Sequence, residues 1–379
     1  MKVLLVVGTR PEAIKLAPLY FALCGQAGCQ VRLCSTGQHR EMLDQVLKLF
    51  NLRPNYDLDL MAPDQNLFDF TASSLKAMRV VLDRERPDVV VVQGDTVTAF
   101  TAGLASYYLK LPLAHVEAGL RTGDPWAPFP EELYRKMCDA LSTFHFAPTL
   151  WAKNNLLREG YPEARLYVTG NTVVDALLMI WHQVKALERP PGVPEQMASD
   201  IQEWIKETPR MVLVTGHRRE SFGEGMKNIA IALKGLATQH DDINIIYPVH
   251  MNPNVQKPVR AILEGVPRVH LLPPVPYDAF VWLMGKCSFV MTDSGGVQEE
   301  APSLGKPVLV MRTKTERPEA VEAGTARLVG NSCEGIMAAA QTLLLDHAEY
   351  SKISTRPNPF GDGRASERIA AILSGELDK

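Results

Sequence analysis

The sequence predicts an α/β protein built from two doubly wound parallel sheets. Short apolar runs alternate with helix-length amphipathic segments along the whole chain. Several runs, such as Val89-Val90-Val91-Val92, are apolar on both faces, which fits strands covered by helices on either side. The 379 residues are enough for two ordinary domains, and the Pro/Gly-rich stretch at 188–194 separates two periodic regions.

In the first half, runs at 3–7, 30–35, 88–92, 113–116, 144–147 and 166–168 read as strands. Helices are expected near 11–25, 40–50, 67–86, 96–109, 131–142 and 149–159. Strands recur at 211–215, 243–248, 269–272, 289–291, 308–310 and 327–329. The halves share no obvious repeat. The expected domains are 1–170 and 171–361, with a hinge near Gly170-Asn171 and a surface loop at 188–194.

Bulk properties narrow the function. Hydrophobic content of 46% and charged content of 22% are those of a globular protein. A net charge of −3 argues against a broad nucleic-acid surface. No apolar run reaches membrane-span length, and the opening apolar stretch is too short for a signal peptide. The cysteines at 24, 29, 34, 138, 287 and 333 lack Cys-x-x-Cys spacing. They read as reduced, buried thiols of a cytoplasmic protein, with no zinc and no other metal.

Doubly wound sheets bind ligands beyond the carboxyl ends of their strands. Gly8-Thr9-Arg10-Pro11-Glu12-Ala13-Ile14-Lys15 follows the first strand; alone, Arg10 and Lys15 read as solvated bases at a helix start. Gln93-Gly94-Asp95-Thr96 follows another, where Asp95 or Thr96 could simply cap the next helix. Glu117 ends a third strand before Gly119. Glu131 and Glu132 open a helix after Pro130, and the helix dipole alone accounts for one of them. Three carboxylates, Asp95, Glu117 and Glu131, thus gather at one sheet mouth. Like charges raise one another's pKa, which suits acid–base work. His39 precedes the second helix, as a nearby group or a solvated cap.

In the second half, Thr215-Gly216-His217-Arg218-Arg219 follows a strand and fits the holding of a diphosphate; His250 is a weaker candidate. Asp293-Ser294-Gly295-Gly296 reads as a turn after the 289–291 strand. A short helix at 297–304 follows, with Gly305 as its stop. Glycines there let a ligand approach the backbone, helix N–H groups favour a phosphate, and a glutamate can accept ribose hydroxyls. An ordinary Gly-containing turn is the competing reading.

The longer string resolves this. Thr292-Asp293-Ser294-Gly295-Gly296-Val297-Gln298-Glu299-Glu300-Ala301-Pro302, with Gly305-Lys306-Pro307 and Arg312 to Pro318, resembles the nucleotide site of the non-hydrolysing UDP-N-acetylglucosamine 2-epimerases. Gly8 to Lys15, Gln38 to Gln45, Gly94 to Thr96, His115 to Thr122, Pro130 to Glu132 and Thr169 to Asp175 match in order over nearly the whole chain.

The resemblance implies two Rossmann-like domains of GT-B type with the ligand in the interdomain cleft. It implies a C-terminal helix, about 362–379, that packs back on the first domain. It implies epimerisation between UDP-N-acetylglucosamine and UDP-N-acetylmannosamine, without a cofactor, in a homodimer. Arg10, Lys15 and His217 would handle the diphosphate. Ser294, Gly295, Gly296 and Glu300 would bind phosphate and ribose, Arg317 would complete the UDP site, and Phe280 would contact uracil or serve as a core residue of its helix. Asp95, Glu117 and Glu131, with His217, would form the catalytic set. A GT-B glycosyltransferase and a silent UDP-sugar-binding regulator are the alternatives.

This sequence departs from the family at three places. It has Leu133-Tyr134-Arg135 where the family has Asn before the Arg, and Val275 where Gln is frequent. Some members carry a regulatory second substrate site with an Arg-Gln pair, where this chain has Asp64-Gln65.

Overall fold

A computed structural model describes residues 1–62, 65–208 and 210–377. Asp64 lies outside the described residues. The chain divides into two compact units, Met1–Ala176 with Phe360–Lys379, and Leu177–Pro359.

The first unit holds a seven-stranded sheet. Its strands are β1 (Lys2–Val7), β2 (Gln30–Ser35), β3 (Tyr56–Asp57), β4 (Val89–Gln93), β5 (Leu113–Val116), β6 (Phe144–Ala147) and β7 (Leu166–Val168). They lie in the order β3-β2-β1-β4-β5-β6-β7, all parallel. The apolar runs pair side by side, as Val3 with Val89 and Leu5 with Val91, and all four valines of β4 are fully buried. Helices Leu67–Glu85 and Val97–Tyr108 cover one face through Met78, Leu82, Ala99 and Ala102. The two-residue β3 was not expected. The last helix, Ala365–Leu377, packs on helix Arg10–Cys24, and the Asn171 N–H donates to the Phe360 carbonyl at 2.7 Å.

The second unit holds a six-stranded parallel sheet in the order β10-β9-β8-β11-β12-β13. These strands are β8 (Arg210–Thr215), β9 (Ile243–Pro248), β10 (Val269–Leu272), β11 (Phe289–Thr292), β12 (Val308–Val310) and β13 (Ala326–Leu328). Ile229, Leu233 and Leu236 of helix Glu224–Gln239 seal its core against Ile243, Ile245 and Tyr247. Helix Gly295–Glu300 tightens into a 3-10 turn at Ala301–Leu304, because Pro302 has no N–H to continue it. Gly305 ends the turn at φ +66°.

In each sheet the strand order reverses once, between β1 and β4 and between β8 and β11. Such a switch point opens a crevice at the carboxyl ends of the two strands. The turns at Gly8, Gly94, Gly216 and Asp293 all sit at these ends. Among the described residues, no helix is long and apolar enough to cross a membrane. All six cysteines are free thiols, but only Cys34, Cys138 and Cys287 are buried; Cys24 is exposed at the end of its helix, and Cys29 and Cys333 are only partly covered.

Candidate active site

In the second unit, the residues following β8 and β11 meet. Asp293 is fully buried, and its Oδ2 accepts the backbone N–H groups of His217 and Arg218 at 2.8 Å each. The His217 ring Nδ1 lies 3.4 Å from Asp293 Oδ1. Burial pushes the His217 imidazole below its ordinary pKa, against the pull of Asp293 and with the help of Arg218. His250 stacks on it with centroids 5.6 Å apart.

Ser294 precedes the helix, and Gly295 and Gly296 are its first two residues rather than part of a turn. Neither has a positive φ, so glycine is not needed for backbone shape. A Cβ on either would meet no atom closer than 3.6 Å, so the chain itself does not demand glycine. The room is left for something outside the chain, beside the unpaired N–H groups of a helix start. Arg317, nearly buried, donates through Nε to Glu299. The Glu300 Oε1 accepts the Tyr277 hydroxyl at 2.6 Å. Phe280 is half-buried one turn further along helix Tyr277–Lys286, on the same side as Tyr277. Arg312 donates to both Glu220 and Glu316, and Arg218 lies 3.5 Å from Glu316. Burial would raise the Glu316 carboxyl, but the Arg312 hydrogen bond and the two arginine charges hold it at about 2.

In the first unit, Glu117 follows β5 with a left-handed φ of +70° and is almost fully buried. This conformation costs a non-glycine residue about 1–2 kcal/mol and is held here by structure on each side. The N–H groups of Glu117 and Ala118 both donate to the Phe146 carbonyl, at 3.0 and 3.1 Å. The Glu117 Oε2 accepts from Lys15 Nζ at 2.5 Å and from Gln93 Nε2, and Oε1 accepts from Asn171 at 3.5 Å. Lys15 thus pairs with Glu117 and is not simply a solvated base. Arg10 opens its helix half-exposed and makes no hydrogen bond or ion pair among the described residues.

Asp95 is no helix cap; Thr96 fills that role by accepting the Ala99 N–H at 3.0 Å. Asp95 accepts from Arg135 at 2.8 Å, and Arg135 also reaches Glu132 at 3.2 Å. The adjacent glutamates separate cleanly. Glu132 is fully buried and accepts the N–H groups of Thr122 and Gly123 at 3.1 Å each. Glu131 keeps a buried Oε2 without a hydrogen bond. The helix still starts at Glu131 despite the unusual Tyr134, which stacks on Phe100 with centroids 5.3 Å apart. His39 stands just before helix Arg40–Leu49 without a side-chain capping hydrogen bond, and its backbone N–H donates to the Gly8 carbonyl at 2.9 Å.

Sequence reasoning assigned no role to Glu12. It is buried and accepts from Gly8 N–H, Thr9 N–H and the Thr9 hydroxyl at 2.7–2.9 Å, and from Thr96 at 2.5 Å. Burial raises its carboxyl to about 7, against those four hydrogen bonds. Its place within a repeated strand-end pattern was the available signal. Among the described residues, no cluster of three or more His, Cys, Asp or Glu could hold a metal ion.

Two doubly wound sheets, each with polar side chains gathered where its strand order reverses, make this a GT-B-like enzyme. A sequence model of the UDP-N-acetylglucosamine 2-epimerase family matches residues 22–374, and the chain belongs to that family of isomerases. It is 51% identical over 373 residues to UDP-N-acetylglucosamine 2-epimerase of Escherichia coli (strain K12), covering 98% of each chain. It is similar to the crystal structure of UDP-GlcNAc 2-epimerase from Neisseria meningitidis bound to UDP-GlcNAc. That match has a TM-score of 0.89 and 44% identity, over 99% of this chain and 100% of that one. The Methanocaldococcus jannaschii UDP-GlcNAc 2-epimerase, in complex with UDP-GlcNAc and UDP, matches with a TM-score of 0.81 and 35% identity, over 99% and 100% of the two chains.

Proposed function

We propose that the protein interconverts UDP-N-acetylglucosamine and UDP-N-acetylmannosamine by elimination and re-addition of UDP. The observation that carries this is the carboxylate set at the mouth of the first sheet. Glu117 is fixed there against Lys15, and Asp95 is tied through Arg135 to the helix that Glu131 opens.

The C2 proton of the sugar is not beside a carbonyl, so its direct removal is unfavourable. Elimination avoids this. A carboxylate takes the C2 proton, the C–H electron pair forms the C1–C2 double bond, and the C1–O bond breaks with UDP carrying away its electrons. A carboxylic acid then delivers a proton to the opposite face of C2, and UDP returns to C1. The sequence is redox-neutral and needs no nicotinamide.

Ser294, Gly295 and Gly296 supply amide N–H groups and a hydroxyl to phosphate, and Glu300 takes the ribose. Arg317 completes the UDP site, with Phe280 against the base. Arg10 and His217 stabilise the departing diphosphate. Lys15 adds positive charge beside Glu117. Asp95, Glu117 and Glu131 share the proton transfers.

A homodimer fits the exposed aromatic and aliphatic side chains on two adjacent helices. Phe68 is 87% exposed and Val80, Tyr107 and Tyr108 are all above 60%. Light scattering should give twice the 42.0 kDa chain mass. Free thiols and a UDP-sugar substrate fit a cytoplasmic enzyme.

Proton NMR of UDP-N-acetylglucosamine incubated with the protein in D2O tests the reading. Loss of the C2 proton signal with growth of UDP-N-acetylmannosamine is expected. Saturable binding without exchange at C2 would rule it out in favour of a transferase or a silent binder.

A further inference from the structure

We propose that His115 is a positioning residue for this reaction: its ring fixes the Asp95 turn and the Glu117 turn relative to each other. The proposal rests on the epimerase reading above.

His115 lies on β5, fully buried, two residues before Glu117. Both ring nitrogens face acceptors. Nε2 donates to the Gly94 carbonyl at 2.8 Å, and a carbonyl can only accept. Nδ1 lies 2.6 Å from Asp139 Oδ1. Burial would raise the Asp139 carboxyl, but the charges of His115 and Arg121 hold it below its ordinary value, so it too accepts. The Gly94 N–H donates to the Val116 carbonyl at 3.1 Å. Consecutive residues of β5 therefore grip Gly94 by both its polar groups, and Asp95 comes next.

The other end of this ladder holds the Glu117 loop. Asp139 Oδ2 accepts the Gly119 N–H at 3.3 Å and Arg121 Nη2 at 2.7 Å. Gly119 has φ +84°, and a Cβ there would sit 2.3 Å from the Ala152 carbonyl oxygen, so only glycine fits this close approach. One chain of hydrogen bonds, Gly94–His115–Asp139–Gly119, thus runs from the residue before Asp95 to the second residue after Glu117. The competing role is a satisfied core histidine that only adds stability.

The test uses His115→Gln, Asp139→Asn and the double variant in the full chain. Glutamine keeps a donor for Gly94 but turns an oxygen toward Asp139. His115→Gln should lower kcat about 100-fold and leave KM within about threefold, with one UDP bound per chain. In the double variant, the introduced asparagine can donate its amide N–H to the introduced glutamine's oxygen, while its own oxygen still accepts from Gly119 and Arg121. It should recover about tenfold over His115→Gln. Full kcat in His115→Gln would overturn the proposal. So would a loss of kcat that only matches a loss of UDP-binding sites, or a double variant no better than the single. Failure of the wild-type protein to exchange the C2 proton would instead remove the epimerase reading. The ladder is then judged by 15N NMR of histidine-labelled protein. A slowly exchanging ring Nε2–H present in wild type and missing in His115→Gln is expected, and a freely exchanging one at His115 would overturn it.

Discussion

Asp293 holds His217 at two points. One carboxylate oxygen accepts the His217 backbone N–H at 2.8 Å, and the other lies 3.4 Å from the ring Nδ1. The backbone bond shapes the turn, and the charge sets the ring. In Asp293→Asn the amide oxygen can still accept the backbone N–H, but the amide NH2 faces Nδ1 and the charge is gone. Hydrogen bonds to charged groups contribute about 1.5–3 kcal/mol, so UDP affinity should fall about 10- to 100-fold. Titration calorimetry with UDP measures this; unchanged affinity would remove Asp293 from the site's electrostatics.

The same histidine should make UDP binding depend on pH. In the free protein, burial holds the His217 pKa below its ordinary value. A bound diphosphate brings negative charge and raises it, so the complex takes up a proton. UDP affinity should therefore rise as pH falls from the bound pKa to the free one, and level off below it. The slope is at most about tenfold per pH unit for one proton. His217→Asn should flatten the profile between pH 5 and 8. A wild-type profile already flat there would contradict the assignment.

Glu117 and Lys15 form a pair whose members should separate in kinetics. Glu117→Gln removes a proton acceptor and leaves Ser294, Glu300 and Arg317 of the second unit untouched. The expected result is a kcat lower by about 10²–10⁴-fold with UDP affinity nearly unchanged. Exchange of the C2 proton into D2O should fall in parallel. Retention of full exchange would exclude Glu117 from the proton transfers.

Glu316 should make the protein sensitive to acid. Its folded pKa of about 2 lies below the ordinary 4.5, because Arg312 and Arg218 outweigh the effect of burial. A depressed carboxyl contributes stability that is complete above pH 4.5 and is lost as pH falls toward 2. The contribution is about 3 kcal/mol, at 1.36 kcal/mol per pKa unit. Glu316→Gln should be less stable at pH 7 and lose less between pH 4.5 and 2, as read by denaturant melts at each pH. Parallel losses in the two proteins would refute the linkage.

Much of the fold was readable because its strands are buried on both faces. Runs such as Val89 to Val92 leave no other reading, and glycine and polar residues mark where each ends. The edge strand Tyr56–Asp57 was missed because two residues carry no periodicity. Gly295 and Gly296 were misread as a turn, since sequence shows that glycine is present but not whether it serves φ or room. Glu131 and Glu132 are indistinguishable as adjacent helix-start acids, until Thr122 and Gly123 claim one of them. The pairing of Lys15 with Glu117, 102 positions apart, has no local signal at all. Nor does the reach of Asp293 to the turn after β8, because it depends on β8 and β11 being neighbours.

The return of the chain to its first unit has a consequence for synthesis. Leu177–Pro359 is continuous, so the second unit is complete as soon as Pro359 has emerged from the ribosome. The first unit, begun earlier, still lacks helix Ala365–Leu377, and helix Arg10–Cys24 waits uncovered for it. The half that starts first is therefore the half that finishes last. A chain truncated at Pro359 would carry a finished second unit attached to an open first one, with a bare apolar helix face for chaperones to hold.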